Sequence, residues 1–156
     1  MAKGRHDSAL LLDVLDQAYD RKAWHGPTLR QSLRGVSLKA AAWRPAPGRH
    51  NIWEIAVHAA YWKYVARRRL CGGKRGSFAL KGSNWFTRPA ELSQSSWRAD
   101  LALLDAEHRK LRQAVADDLA GKTPPAAARL LFGVAFHDVY HAGQIRLLRR
   151  LHTLES

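Results

Sequence analysis

Residues 130–148, LLFGVAFHDVYHAGQIRLL, decide how this chain is read. Leu130, Val134, His137, His141, Ile145 and Leu148 recur at three- and four-residue intervals, which places them along one face of an α-helix. Most of that face is aliphatic, so it is expected to be buried. Two histidines stand on it where hydrophobes belong. Side chains four residues apart on a helix project about one turn from each other. A pair of imidazoles so placed can chelate one metal ion without moving the backbone. A buried imidazole also needs partners for its ring nitrogens, and a shared ion serves both rings at once.

A second stripe lies upstream, in Ile52, Ile55, His58, Ala59, Trp62 and Ala66. Asn51 reads as its N-cap, Glu54 three residues later completes a capping-box pattern, and Gly72-Gly73 should end it. His58 again replaces a hydrophobe. Three inward imidazoles on two helices make a ligand triad of His58, His137 and His141. Three protein ligands leave a position for water or substrate, the catalytic rather than the structural pattern.

The remaining chain is helical by the same criterion. Leu11, Leu12, Leu15, Ala18 and Tyr19 predict a helix over about 8–22. A short helix is expected over roughly 28–34 before Gly35, and one more turn over 38–43. Pro45, Pro47 and Gly48 then force a loop. Residues 74–89 read as a long basic loop carrying Trp85 and Phe86. Trp97, Leu101, Leu104, His108, Leu111 and Val115 predict a helix that starts near 93–96 and ends at Gly121. Thr123 would cap the last helix, with Pro124 in its first turn. No segment alternates like a strand. The expected fold is all-α: one domain over 1–156, a four-helix bundle with a long crossover loop and short extra helical turns.

Composition narrows the setting. Apolar residues make up 46% of the 156, enough for a core. Cys71 is the only cysteine, which excludes an internal disulfide and suits a reducing cytoplasm. Asp13 and Asp16 interrupt the early leucines, so neither a signal peptide nor a membrane span is expected. The net charge is +13, and fifteen of the 26 basic residues fall between Arg21 and Arg88 with a single acid, Glu54. That half should present an electropositive face to an anionic small molecule, a nucleic acid or an anionic membrane. A non-enzymatic module would use Arg67, Arg68, Arg69, Lys74, Arg75 and Lys81 on phosphates, with Trp85 or Phe86 stacking on bases.

Other side chains have weaker claims. His6 and His50 precede helices and should be exposed, and His25 sits at a turn; none has a partner at useful spacing. His108 is a candidate pocket residue, and His152 lies too far along the axis to share the metal. Gln144 could orient an imidazole or a bound water. Tyr61 and Tyr140 could donate a hydrogen bond to substrate. Trp53, Trp62, Trp85 and Trp97 could line a pocket, with core packing the default. Gly143 costs about 1 kcal/mol relative to Ala inside a helix, a cost that close helix approach would offset. The run His137-Asp138-Val139-Tyr140-His141 looks like the H-E-x-x-H helix of zinc proteases. Asp138 replaces its Glu, though, and Gln144 and Leu147 occupy the positions where an extended form needs Gly and His. A protease is therefore not expected. A hydrolase would need a general base, and Asp138, the nearest acid, is turned about 100° from His137 on the helix.

The segments FHDVYHAGQIRLLRR (136–150) and WRPAPGRHNIWEIAVHAAYW (43–62) together resemble the DinB-like (DinB/YfiT) superfamily of metal-binding helical proteins. The resemblance covers the helix order across most of the chain. It implies an up-down-down-up bundle, often dimeric, with a zinc-, nickel- or similar-binding triad at His58, His137 and His141. It also implies, for some relatives, transfer or isomerisation reactions that use low-molecular-weight thiols. Asp138 stands where Glu is frequent in the family. Cys71 lies at a helix end off the triad stripe, so a reacting thiol would come from a small molecule.

Overall fold

The computed structural model describes residues 3–118 and 125–155. It contains six helices: α1 (Lys3–Tyr19), α2 (Leu29–Leu33), α3 (Leu38–Ala42), α4 (Ile52–Leu70), α5 (Gln94–Asp118) and α6 (Pro125–Glu155). No strand occurs among the described residues. The expected stop at Gly121, cap at Thr123 and first-turn Pro124 fall outside them.

Local chemistry explains most boundaries. Thr28 and Gln31 close a reciprocal capping box on α2, and Ser37 caps α3 through the Ala40 amide. The Asn51 side chain accepts from the Glu54 amide at 2.8 Å, as an N-cap should. Glu54 does not return the bond. Its carboxylate goes instead to Arg44, at 2.9 and 2.5 Å, to His50 and to the Arg88 amide. A guanidinium fork outcompetes one backbone amide for a carboxylate. At the other end of α4, the Gly73 amide bonds the Arg68 carbonyl across Gly72, whose φ of +66° suits glycine. Ser93 caps α5 through the Ser96 amide. The first helix begins at Lys3, earlier than expected, and ends at Tyr19. There the amides of Asp20 and Arg21 both close on the Asp16 carbonyl.

The four long helices pack in a ring of neighbours: α1 contacts α5 and α6, and α4 contacts the same two. Two apolar clusters result. One joins the start of α4, including Ile52 and Trp53, to Trp97, Leu104, Ile145 and Leu148. The other joins Ala66 at the far end of α4 to Leu11, Leu15, Leu111, Leu131 and Val134. The start of α4 thus meets the end of α6, and the reverse. Trp53 and Trp97 are core residues, and the Trp53 indole donates to Asp100 at 2.7 Å. The polar side chains of α4 and α6 meet between these two clusters.

Candidate metal centre

The stripes of α4 and α6 converge as their spacing requires. His137 Nε2 lies 3.0 Å from His58 Nε2 and 3.0 Å from His141 Nε2. His58 and His141 are buried, and His137 is half-buried. Two imidazole nitrogens bound at 2.0–2.1 Å and at right or tetrahedral angles stand about 2.8–3.4 Å apart. The observed separations fit that edge.

Hydrogen bonds on the outer nitrogens fix the chemistry of the inner ones. His58 Nδ1 donates to the Asn84 carbonyl at 2.8 Å. His141 Nδ1 donates to Gln144 Oε1 at 2.6 Å, and the Gln144 amide in turn donates to the Tyr140 hydroxyl. A neutral ring protonated at Nδ1 carries its lone pair on Nε2. Both lone pairs therefore face the centre of the triad, the tautomer that metal ligation needs. His137 Nδ1 is buried without a hydrogen-bond partner among the described residues. Protonating this centre is unfavourable. Burial, then the neighbouring His141 and His58, pushes His137 down to about 3. Burial pushes His141 down to about 4 and lowers His58 from its ordinary value. Neutral imidazoles at ordinary pH are ligands ready for a cation, and the donor set fits a divalent ion.

Residues 71–93 form neither helix nor strand, yet they build one wall of the site. Asn84, at φ 62°, holds two residues of α4 at once: its carbonyl accepts from His58 and its side-chain oxygen accepts from the Trp62 indole at 3.0 Å. Trp85 lies between two imidazoles, 3.6 Å from His50 and 3.7 Å from His58, nearly parallel to both. His50, expected to lack a partner, thus hydrogen-bonds Glu54 at 2.9 Å and stacks at the edge of the site. Sequence reasoning missed both Asn84 and His50. The only signal was a run of turn-forming residues ending in an aromatic pair.

Trp62 stands edge-on to His58 and His137 and lines a pocket with His137. Tyr140 is exposed and reaches the triad through Gln144. Tyr61 packs among Phe78 and Phe86. His108 is placed elsewhere. It stacks on Tyr19 at 3.7 Å and lies 3.9 Å from Asp16. A chain of contacts through Tyr19, Lys63 and Asp138 links it to the neighbourhood of the triad. Asp16, Asp20 and His108 form a second group of closely spaced potential ligands, but Arg21 and Arg112 already neutralise Asp16.

Asp138 is fully buried and ion-paired with Lys63, itself fully buried, whose ammonium also lies over the Tyr19 ring. It is therefore unavailable as a general base. Two further expectations change. Phe86 is buried and both faces of Trp85 are covered, so neither can stack on a nucleic-acid base. Gly143 has nothing within 4 Å of an added Cβ, so no other helix among the described residues approaches it closely.

An all-helical protein with three convergent histidines, two of them fixed in tautomer by their outer hydrogen bonds, defines a class: helical proteins with a candidate mononuclear metal centre. A family model of the DinB superfamily matches residues 22–145, and the chain belongs to that superfamily. No curated protein and no solved structure matches it.

Proposed function

We propose that this protein is a metal-dependent transferase in which His58, His137 and His141 hold a divalent ion and a low-molecular-weight thiol is one substrate. The observation that carries the reading is the pair of Nδ1–H bonds that turn the His58 and His141 lone pairs toward His137. Imidazole donors suit zinc or nickel first, and iron, manganese or copper can take the same set. A bound divalent ion lowers the pKa of a coordinated thiol or water, so that a nucleophile exists near neutral pH. The chain's own residues hold the geometry: Asn84 and Gln144 orient two rings, Trp85 packs flat on His58, and Trp62 walls the approach. In the transfer the thiol gives its proton to solvent and its sulfur bonds to an electrophilic carbon. The leaving group departs with the electrons of the broken bond.

The test is conjugation of physiological thiols to a chromogenic electrophile, with metal-free and metal-loaded protein. Turnover should need metal and vanish in His137→Ala. Metal-loaded protein inactive with every such thiol would sink the transferase reading. A metal-assisted hydrolase is the weaker alternative, since Lys63 occupies Asp138.

A basic module for an anionic partner has one observation in its favour. Arg68, Arg69, Arg75 and Lys81 line one pocket between α4 and the 71–93 segment. Nucleic-acid affinity that falls steeply with salt would support it. We also read the long helices as the up-down-down-up bundle and the protein as a cytoplasmic homodimer. Phe136, Tyr140, Leu147 and Leu154 form an exposed apolar stripe on α6, with open space over Gly143 where a second copy could approach. Light scattering should give twice the chain mass, and the monomer mass would refute the dimer. Among the described residues no helix is long and apolar enough to cross a membrane.

A further inference from the structure

A groove of about 750 Å³ between α4 and α6 opens beside the triad, a volume suited to a small organic ligand. His137 and Trp62 form one end, and Leu130 and Val134 line its apolar length. Arg69 and Arg129 also line it. Both are exposed, and neither has a hydrogen bond or ion pair among the described residues. Because α4 and α6 run in opposite directions, the two arginines mark the end remote from the triad. Arg129 precedes His137 by eight residues and Arg69 follows Trp62 by seven, which puts both about 10–12 Å along the helix axes from the triad end. Among the described residues no acidic side chain lines the groove.

We infer that this groove binds an amphipathic monoanion: an apolar chain along Leu130 and Val134, a carboxylate held by Arg69 and Arg129, and the opposite end of the molecule at His137. A guanidinium fork matches a carboxylate in geometry and charge, and the apolar wall between it and His137 suits a hydrocarbon chain. The inference deepens the enzymatic reading by assigning the acceptor's chemical class, and its role as a substrate site rests on that reading. Binding itself does not require the metal.

Gly133 provides the test. It lies in the groove wall, is exposed, and an added Cβ meets nothing within 4 Å. Leucine there should project into the groove, narrow its apolar length and favour the helix. Calorimetric titration with decanoate and with decanol, on metal-free and metal-loaded protein, reads the site. Decanoate should bind saturably in both forms and more tightly than decanol. Arg69→Gln with Arg129→Gln should weaken decanoate about tenfold, the cost of lost charge-assisted contacts, and leave decanol unchanged. Gly133→Leu should abolish binding of both. Decanoate bound by Gly133→Leu as by the wild type, or decanol bound as tightly as decanoate, would overturn the inference. Metal content measured on the same samples separates this failure from failure of the metal site.

Discussion

At the residue scale, the site depends on groups that do not themselves face its centre. Gln144 fixes the tautomer of His141, and Asn84 fixes that of His58. Removing such partners typically costs about 10–100-fold in metal affinity. Gln144→Ala should therefore weaken zinc binding by at least about tenfold in a chelator competition while the thermal midpoint of the metal-free protein hardly moves. Unchanged affinity would mean that His141 needs no orienting partner. Gln144 was legible because it lies one turn beyond His141 on a periodic helix. Asn84 was not, because a loop has no period and its contacts depend on how the chain returns. His50 was hidden for the same reason: what it stacks on, Trp85, lies 35 positions away in sequence.

At the scale of elements, α4 and α6 are joined by more than the triad. Lys63 and Asp138 form a fully buried ion pair between them. Breaking such a pair by removing one partner leaves a buried charge and costs about 3–5 kcal/mol, whereas replacing both by apolar residues can be neutral. Asp138→Ala should lower the denaturation free energy by about that amount. Lys63→Met combined with Asp138→Leu should recover most of it, and equal destabilisation by the single and the double change would contradict this account. The pair was readable in principle. Lys63 stands between Ala59 and Ala66 on the buried stripe of α4, and Asp138 between Ala135 and Ala142 on that of α6. A charge on each of two facing stripes implies a partner. The helices themselves were legible from their periods and caps, and Glu54 misled only because Arg44, ten residues earlier, competes for it.

At the scale of the whole molecule, the titration of buried histidines sets the acid limit of the fold. Burial, followed by Lys63 and nearby arginines, pushes His108 down to about 2. Burial pushes His137 and His141 down to about 3 and 4. All three have an ordinary value of 6.5. A group whose folded pKa is depressed takes up protons first in the unfolded chain, so its stabilisation is complete above the unfolded value and drains as pH falls toward the folded one. The thermal midpoint of the metal-free protein should fall progressively as pH drops from 6.5 to 4, the upper part of the window those values span. A flat midpoint across that window would show that these rings are not held neutral. Bound metal should raise the midpoint near neutrality and lose that effect in acid, because protons and cation compete for the same nitrogens.

The most direct test of the triad is elemental analysis of protein purified without a histidine tag, beside His58→Ala and His137→Ala variants that remain folded by circular dichroism. The wild type should carry close to one divalent ion per chain and both variants almost none. Equal metal content in the three, or none in the wild type after incubation with zinc or nickel, would contradict the assignment of His58, His137 and His141 as a metal centre.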